Sequence, residues 1–404
     1  MVHHDSRLQQ GVDGYLLRGG TSKGFFTSSA AIPDDPGARD EFVLELFGSP
    51  DPLQVDGLGG SHTHTSKLML VDAADRDDAD LRYRYAQVGI ENPTVDWDGN
   101  CGNLASAVGV YGVLEGLVEA TEPTTTVRIH SENTDSILEQ EVPVVEGEPT
   151  PYGSCRIDGV PGTGARIPTR YLDPGGGMLG STLPTGNATD DLSVDGETYT
   201  VSVVDATNVT VFLKAADLGL DGTESPADLE RREGLLDRLE RIRGAACVEL
   251  GLVDDPADAA AERPTMPFIA VVAPPKAYTT TGGSPVDADD VDVVARMVST
   301  GRPHHAYATT GAMCLAAATR IPGTVTAAVA RGSGESVRIG HPKGRISIGV
   351  ETVGDDVDGD AEADDVDGDA GADGAMTPIR SVSIDRTARL LMSGTAFARD
   401  LDRV

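Results

Sequence analysis

The chain is short of cations. It carries 32 Lys and Arg against 65 Asp and Glu, for a formal net charge of −33. Nucleic-acid binding needs clustered Lys and Arg to meet phosphates, so this balance argues against a nucleic-acid partner. An anionic membrane surface would repel it. The chain also lacks paired cysteines. Cys101, Cys155, Cys247 and Cys314 are scattered singly, and no CxxC or Cys/His cluster has the spacing of a metal site. The N-terminal MVHHDSRLQQ has no apolar core of a signal peptide. No run reaches the roughly 18 apolar residues of a membrane-spanning helix. These absences together lead us to expect a cytoplasmic protein with reduced thiols and no membrane partner.

What is present is acid, glycine and length. The 404 residues suffice for about two domains. The 48 glycines predict many tight turns and little long helix. The acid is spread along the whole chain, as suits a solvated surface in a high-salt cytoplasm, where salt screens self-repulsion. A halophilic source is the expectation. Melting temperatures measured from low to molar KCl should then climb steeply, and a flat dependence would remove this reading.

The stretch Gly59–Gly112 organises the rest. It supplies an amine, Lys67, and a thiol, Cys101, each close to a Gly-rich turn. Lys67 leads into Leu68–Val71, which reads as a buried strand. Cys101 precedes Leu104, Ala107, Val108, Tyr111 and Leu114, which recur at helical spacing. A thiol at a helix start feels the positive end of the dipole, and free N–H groups there can hold a carboxylate or an enolate. An amine and a thiol facing one anion suit moving a proton on and off carbon. Spacing alone also fits an ordinary surface lysine and a packed cysteine.

Taken in order, the first half offers strand–turn–strand at Gly14–Phe26, where RGGTSKG could cradle a carboxylate through Arg18, Thr21, Ser22 and Lys23. A short helix is expected at Asp40–Gly48. A hairpin follows at Thr125–His130 and Ile137–Val145, then further strands in Gly153–Leu172. The Gly/Pro/Ser/Thr-rich Asp173–Thr189 marks a boundary. The second half repeats this order. Tyr199–Leu213 is strand–turn–strand, and Ser225–Ala246 a helix capped by Ser225. Met266–Ala273 is a buried strand and Val291–Val298 a short helix. HHAYATTGAMCLAAATRI is a turn opening a helix, and Ser336–Thr352 a hairpin. The alignment of NCGNLASA with TTGAMCLA sets Thr310 opposite Cys101 and puts Cys314 one turn into the helix, where it reads as packing. The acidic Gly354–Gly374 is expected to be a solvated loop. Ile384 should end a strand, and Leu390, Leu391 and Met392 should be packed.

The motifs RGGTSKG, GGSHTHTSK, DGNCGN, GRPHHAYATTGAMC, GHPKG and RTARLLMSG, in this order over nearly the whole chain, resemble the PrpF family. That family contains 2-methylaconitate cis–trans isomerases and 4-oxalomesaconate tautomerases. The resemblance implies an α+β fold of two similar pseudo-symmetric domains, the diaminopimelate-epimerase-like fold, with the active site in the cleft between them. We expect domains at about 1–185, with the tail 380–404 packing back, and 190–380. The family's proposed acid–base pair falls on Lys67 and Cys101. The turn residues Arg18, Thr21, Ser22, Lys23, Gly60, Ser61, Asn103, Thr310 and Gly311 are expected to bind substrate, through backbone N–H groups left free in turns and helix starts. The chemistry implied is proton movement on a small unsaturated di- or tricarboxylate, which needs no cofactor and no metal. HPKG, where a serine is usual, and DATNVTVFL, where Asn-Pro is common, depart from the family pattern and leave the substrate open. The oligomeric state is open as well, a homodimer being compatible. Two other classes remain. A cofactor-independent amino-acid racemase would need Cys314 in the place of Thr310. A non-catalytic accessory protein of an aconitase-like dehydratase would show no turnover.

Overall fold

The computed structural model describes residues 9–332, 334–353 and 379–399; the acidic stretch Gly354–Gly374 lies outside them. The chain divides into two compact units. One comprises Met1–Leu172, Ala308–Thr310 and Ser383–Val404, the other Asp173–Tyr307 and Gly311–Val382.

The first unit is a mixed sheet with helices packed on it. A hairpin of β1 (Gln9–Gly19) and β2 (Ser22–Thr27) is followed by helix α1 (Pro36–Phe47). Then come β3 (Lys67–Ala73) and β4 (Leu81–Val88). Two short helices, α2 (Gly102–Ala105) and α3 (Val108–Leu114), lead to the hairpin Thr124–Ser131/Ser136–Val145 and the strand Ile167–Leu172. The ladder runs antiparallel from β1 to β2, parallel from β2 to β3, antiparallel to β4, parallel to Thr124–Ser131 and antiparallel to Ser136–Val145. The far edge of β1 is covered by the C-terminal strand Ala388–Arg399, paired from Gln9↔Arg399 to Gly19↔Ala388. Helix α1 starts on the Asp35 side chain, which accepts from Ala38 N, has Pro at its first turn and ends at Gly48 in the left-handed region. It buries Phe42, Val43, Leu46 and Phe47 against Phe25, Leu68, Leu70, Ala86 and Val88. Each such side chain contributes about 1.5–3 kcal/mol of burial.

The second unit repeats the ladder. Glu197–Asp205 is antiparallel to Val209–Lys214, which is parallel to Phe268–Ala273. That strand is antiparallel to Val293–Ser299, which is parallel to Ser336–His341, itself antiparallel to Gly344–Thr352. The helices Pro226–Arg231 and Leu235–Glu249 fall where α1 falls in the first unit, and Thr309–Ala318 falls where α2 and α3 do. This is the α+β fold written twice.

The repeat explains one correction. Val291–Val298, expected as a helix, is the strand Val293–Ser299, the counterpart of β4. Both its faces are buried, so no alternation marks it, and its valines favour a strand. The helix expected over Ser225–Ala246 is two: Ser225 and Asp228 form a capping box, but Gly234 at φ 72° breaks the chain before Leu235. Gly153–Leu172 yields only one named strand, Ile167–Leu172, besides an isolated Cys155↔Gly164 bridge. Leu390, Leu391 and Met392 are exposed rather than packed, at 38%, 44% and 41%. Among the described residues no helix is long and apolar enough to cross a membrane.

Candidate active site

Lys67 is the first residue of β3 and faces Gln87 across the ladder. Tyr83, Tyr85 and Gln87 alternate along β4 and so share one face of it. Lys67 Nζ donates to Tyr85 Oη at 2.6 Å and to Gln87 Oε1 at 2.7 Å, and Tyr85 Oη donates to the same Oε1 at 2.7 Å. Gln87 is itself oriented by Nε2, which donates to Ser66 O at 2.8 Å. The amine is therefore held, and it is buried. Burial lowers its pKa from 10.5; the charge of Cys101 and a hydrogen bond with it pull the other way, with a smaller pull from Asp96. The amine and the thiol are thus close enough for the charge of one to act on the other.

Cys101 is the N-cap residue of α2, with no side-chain capping bond. The helix expected from Leu104 to Leu114 is in fact two pieces meeting at Ser106 and Ala107, and α2 is a single turn. The aligned peptide dipoles invoked for the thiol are correspondingly few. What surrounds the sulfur instead is hydroxyls. Its Sγ lies 3.9 Å from Ser22 Oγ. The buried Tyr83, Tyr85 and Tyr171 all feel its charge; desolvation is the largest cause raising their pKa values and Cys101 adds to it, so the hydroxyls stay neutral.

The turn RGGTSKG lies over this site because Gly20 has no side chain. At φ 51°, a Cβ there would sit 2.1 Å from Asn103 Oδ1 and 3.2 Å from Arg386 Cδ. Asn103 Oδ1 accepts from Thr21 N at 3.3 Å and ties the turn to α2. Gly102 is equally closed in: a Cβ would meet Thr309 Cγ2, Thr310 Cγ2 and Tyr171 Oη, each at 3.2 Å.

Of the residues expected to bind substrate, Thr21, Ser22, Asn103 and Thr310 gather around Cys101 and Gly102. Arg18 is near but occupied: its Nη1 donates to Gly20 O at 2.9 Å and Thr387 O at 2.8 Å, stapling the turn. Lys23 N donates to His64 O at 2.9 Å, joining the turn to the loop before β3. The expectation of free N–H groups does not hold at Ser61. Its N donates to Gln54 Oε1 and its Oγ to Leu53 O, while Gly60 packs on Thr65. A loop with no regular structure of its own satisfies its backbone in this way. Gly311 belongs to the second unit and packs on Met297. Sequence reading missed Tyr85, Gln87, Tyr171 and Arg386. The alternation in YRYAQV was a usable signal for the first two; Arg386 opens the motif RTARLLMSG, and Tyr171 had no signal.

The chain matches the PrpF protein family model over residues 9–399. It is 41% identical over 336 residues to the 3-methylitaconate isomerase of Eubacterium barkeri, covering 82% of this chain and 88% of that protein. It is 36% identical over 393 residues to the 2-methyl-aconitate isomerase of Shewanella oneidensis, covering 94% of each. A crystal structure of methylitaconate-delta-isomerase superposes with a TM-score of 0.80 at 36% identity, covering 98% of this chain and 97% of that one. By this match across the chain, and by relatives that are isomerases, the protein is an isomerase of the PrpF family.

Proposed function

We propose that the protein is a cofactor-independent isomerase that moves a proton on a small unsaturated di- or tricarboxylate of the methylitaconate, methylaconitate or oxalomesaconate kind. The observation that carries this is the buried Lys67 amine, held by Tyr85 and Gln87, its pKa lowered by desolvation, and close enough to the Cys101 thiol to feel its charge. Lys67 Nζ takes the acidic C–H proton, and the electron pair moves into an enolate. The neutral hydroxyl of Tyr171, which bonds to nothing among the described residues, is a donor suited to that negative charge. The Cys101 thiol returns a proton at the far carbon. Transfer of the proton from the Lys67 ammonium to the Cys101 thiolate then restores both groups.

A two-thiol racemase is the competing reading. Cys314 speaks against it: the thiol is fully buried, lies 3.3 Å from Val204 O and has its pKa pushed up to about 12 by burial.

The test is proton exchange in D₂O over a panel of unsaturated di- and tricarboxylates, followed by NMR. Deuterium should wash into at least one of them, even where the net equilibrium is unfavourable. No exchange on any member, or exchange on amino acids instead, overturns the proposal.

A further inference from the structure

The proton chemistry of Lys67 and Cys101 leaves one cation at the site unused. Arg386 ends the strand Ile379–Arg386 and is 8% exposed. Its Nη1 donates to Asp385 O at 3.2 Å and its Nη2 to Thr309 Oγ1 at 3.1 Å, while Nε has no partner among the described residues. The adjacent carboxylate of Asp385 acts on it only weakly, the least of the influences on its pKa, and is paired with Arg166 at 2.7 Å. Burial pulls the guanidinium's pKa down to about 10, which still leaves it charged at neutral pH. A buried cation whose nearest carboxylate is paired elsewhere is costly, and proteins keep one where a ligand supplies the charge.

Unpartnered donors lie beside it. Tyr171 Oη is fully buried and bonds to nothing among the described residues. It sits at Gly102, next to the thiol, and feels the charges of both Cys101 and Arg386. Asn100 Nδ2, one residue before the thiol, is also unpartnered.

We propose that Arg386 and Tyr171 hold one carboxylate of the substrate beside Cys101. A carboxylate brings what this cluster lacks: a negative charge for the guanidinium and acceptor lone pairs for the idle N–H and O–H. The inference rests on the polycarboxylate reading above and deepens it, since it makes this end of the ligand a requirement.

The test titrates the full chain calorimetrically with tricarballylate, a saturated tricarboxylate that cannot be isomerised, and with its monoamides. Wild type should prefer the acid. Arg386→Met should bind it roughly 10–100-fold more weakly, the scale of a lost charged hydrogen bond, and should lose the preference over the amide. Arg386→Lys should keep part of that preference, and Tyr171→Phe should shift in the same direction while melting as wild type does. A merely structural role would not change the choice between acid and amide. The proposal is overturned if Arg386→Met binds and discriminates like wild type. Where that variant fails to fold, wild-type discrimination by both Arg386→Lys and Tyr171→Phe overturns it equally. The two readings fail separately. Arg386-dependent binding without deuterium exchange on any substrate supports the anchor and removes the isomerisation chemistry. Exchange by wild type with unchanged binding by Arg386→Met removes the anchor alone.

Discussion

Lys67→Ala is expected to bring deuterium exchange down by about 10⁴, the upper end of what a general base supplies, in a protein that still folds. The amine is the only part of the side chain that the chemistry uses, and its partners Tyr85 and Gln87 still bond to each other when it is gone. The pH dependence gives a second reading. Only the neutral amine is a base, so wild-type kcat/KM should rise with pH through an apparent pKa below 10.5. Stability follows the same group. The folded pKa is depressed below the unfolded 10.5, so the unfolded chain binds the extra proton between those values and stability rises with pH across that interval. Lys67→Ala should flatten that rise in the melting temperature. A variant that keeps exchange within about 10-fold of wild type would show that Lys67 is not the base.

Cys101→Ser is the second large effect. Turnover should fall by about 10²–10⁴, because a hydroxyl is far too weak an acid to replace the thiol near neutral pH. Cys314→Ser is its control. That thiol is buried with Val204 O at 3.3 Å, an acceptor a hydroxyl can also use. Activity should persist, with a stability cost of about 1–2 kcal/mol visible in a denaturant titration. The reverse outcome, an inactive Cys314 variant and an active Cys101 variant, would reassign the acid and reopen the two-thiol racemase.

Elements with local chemistry were legible in the sequence. The strand from Lys67, the hairpins and the Ser225 capping box are announced by apolar runs, turn residues and spacing. The duplication was legible too, because the order of elements is itself a pattern. Val293–Ser299 was not: a strand buried on both faces has no two-residue period, and only its place in the repeated ladder identifies it. The site divided along the same line. Lys67 and Cys101 sit beside glycine-rich turns that draw attention to them. Arg386 opens a motif with no turn or glycine beside it, and its character comes from burial and from the carboxylate of Asp385 being paired with Arg166. Ser61 shows the opposite error. A turn residue that looked free is consumed by Gln54 and Leu53, partners several residues away along the chain.

The pairing of β1 with the strand Ala388–Arg399 has a consequence for biosynthesis. Gly20 N and the Arg18 guanidinium both end on Thr387 O, and the whole outer edge of β1 waits for residues after it. During translation Lys67 and Cys101 emerge well before the strand that closes their sheet and the arginine beside them. The first unit is thus the one completed last, and its longest ladder is also its least local, the kind of contact that slows folding. A nascent chain held before Thr387 has an open β1 edge, an invitation to pair with another chain. The same geometry offers a remedy: Gln9 and Arg399 are ladder partners, so a short linker between them and new ends in a surface turn would make the closing strand local.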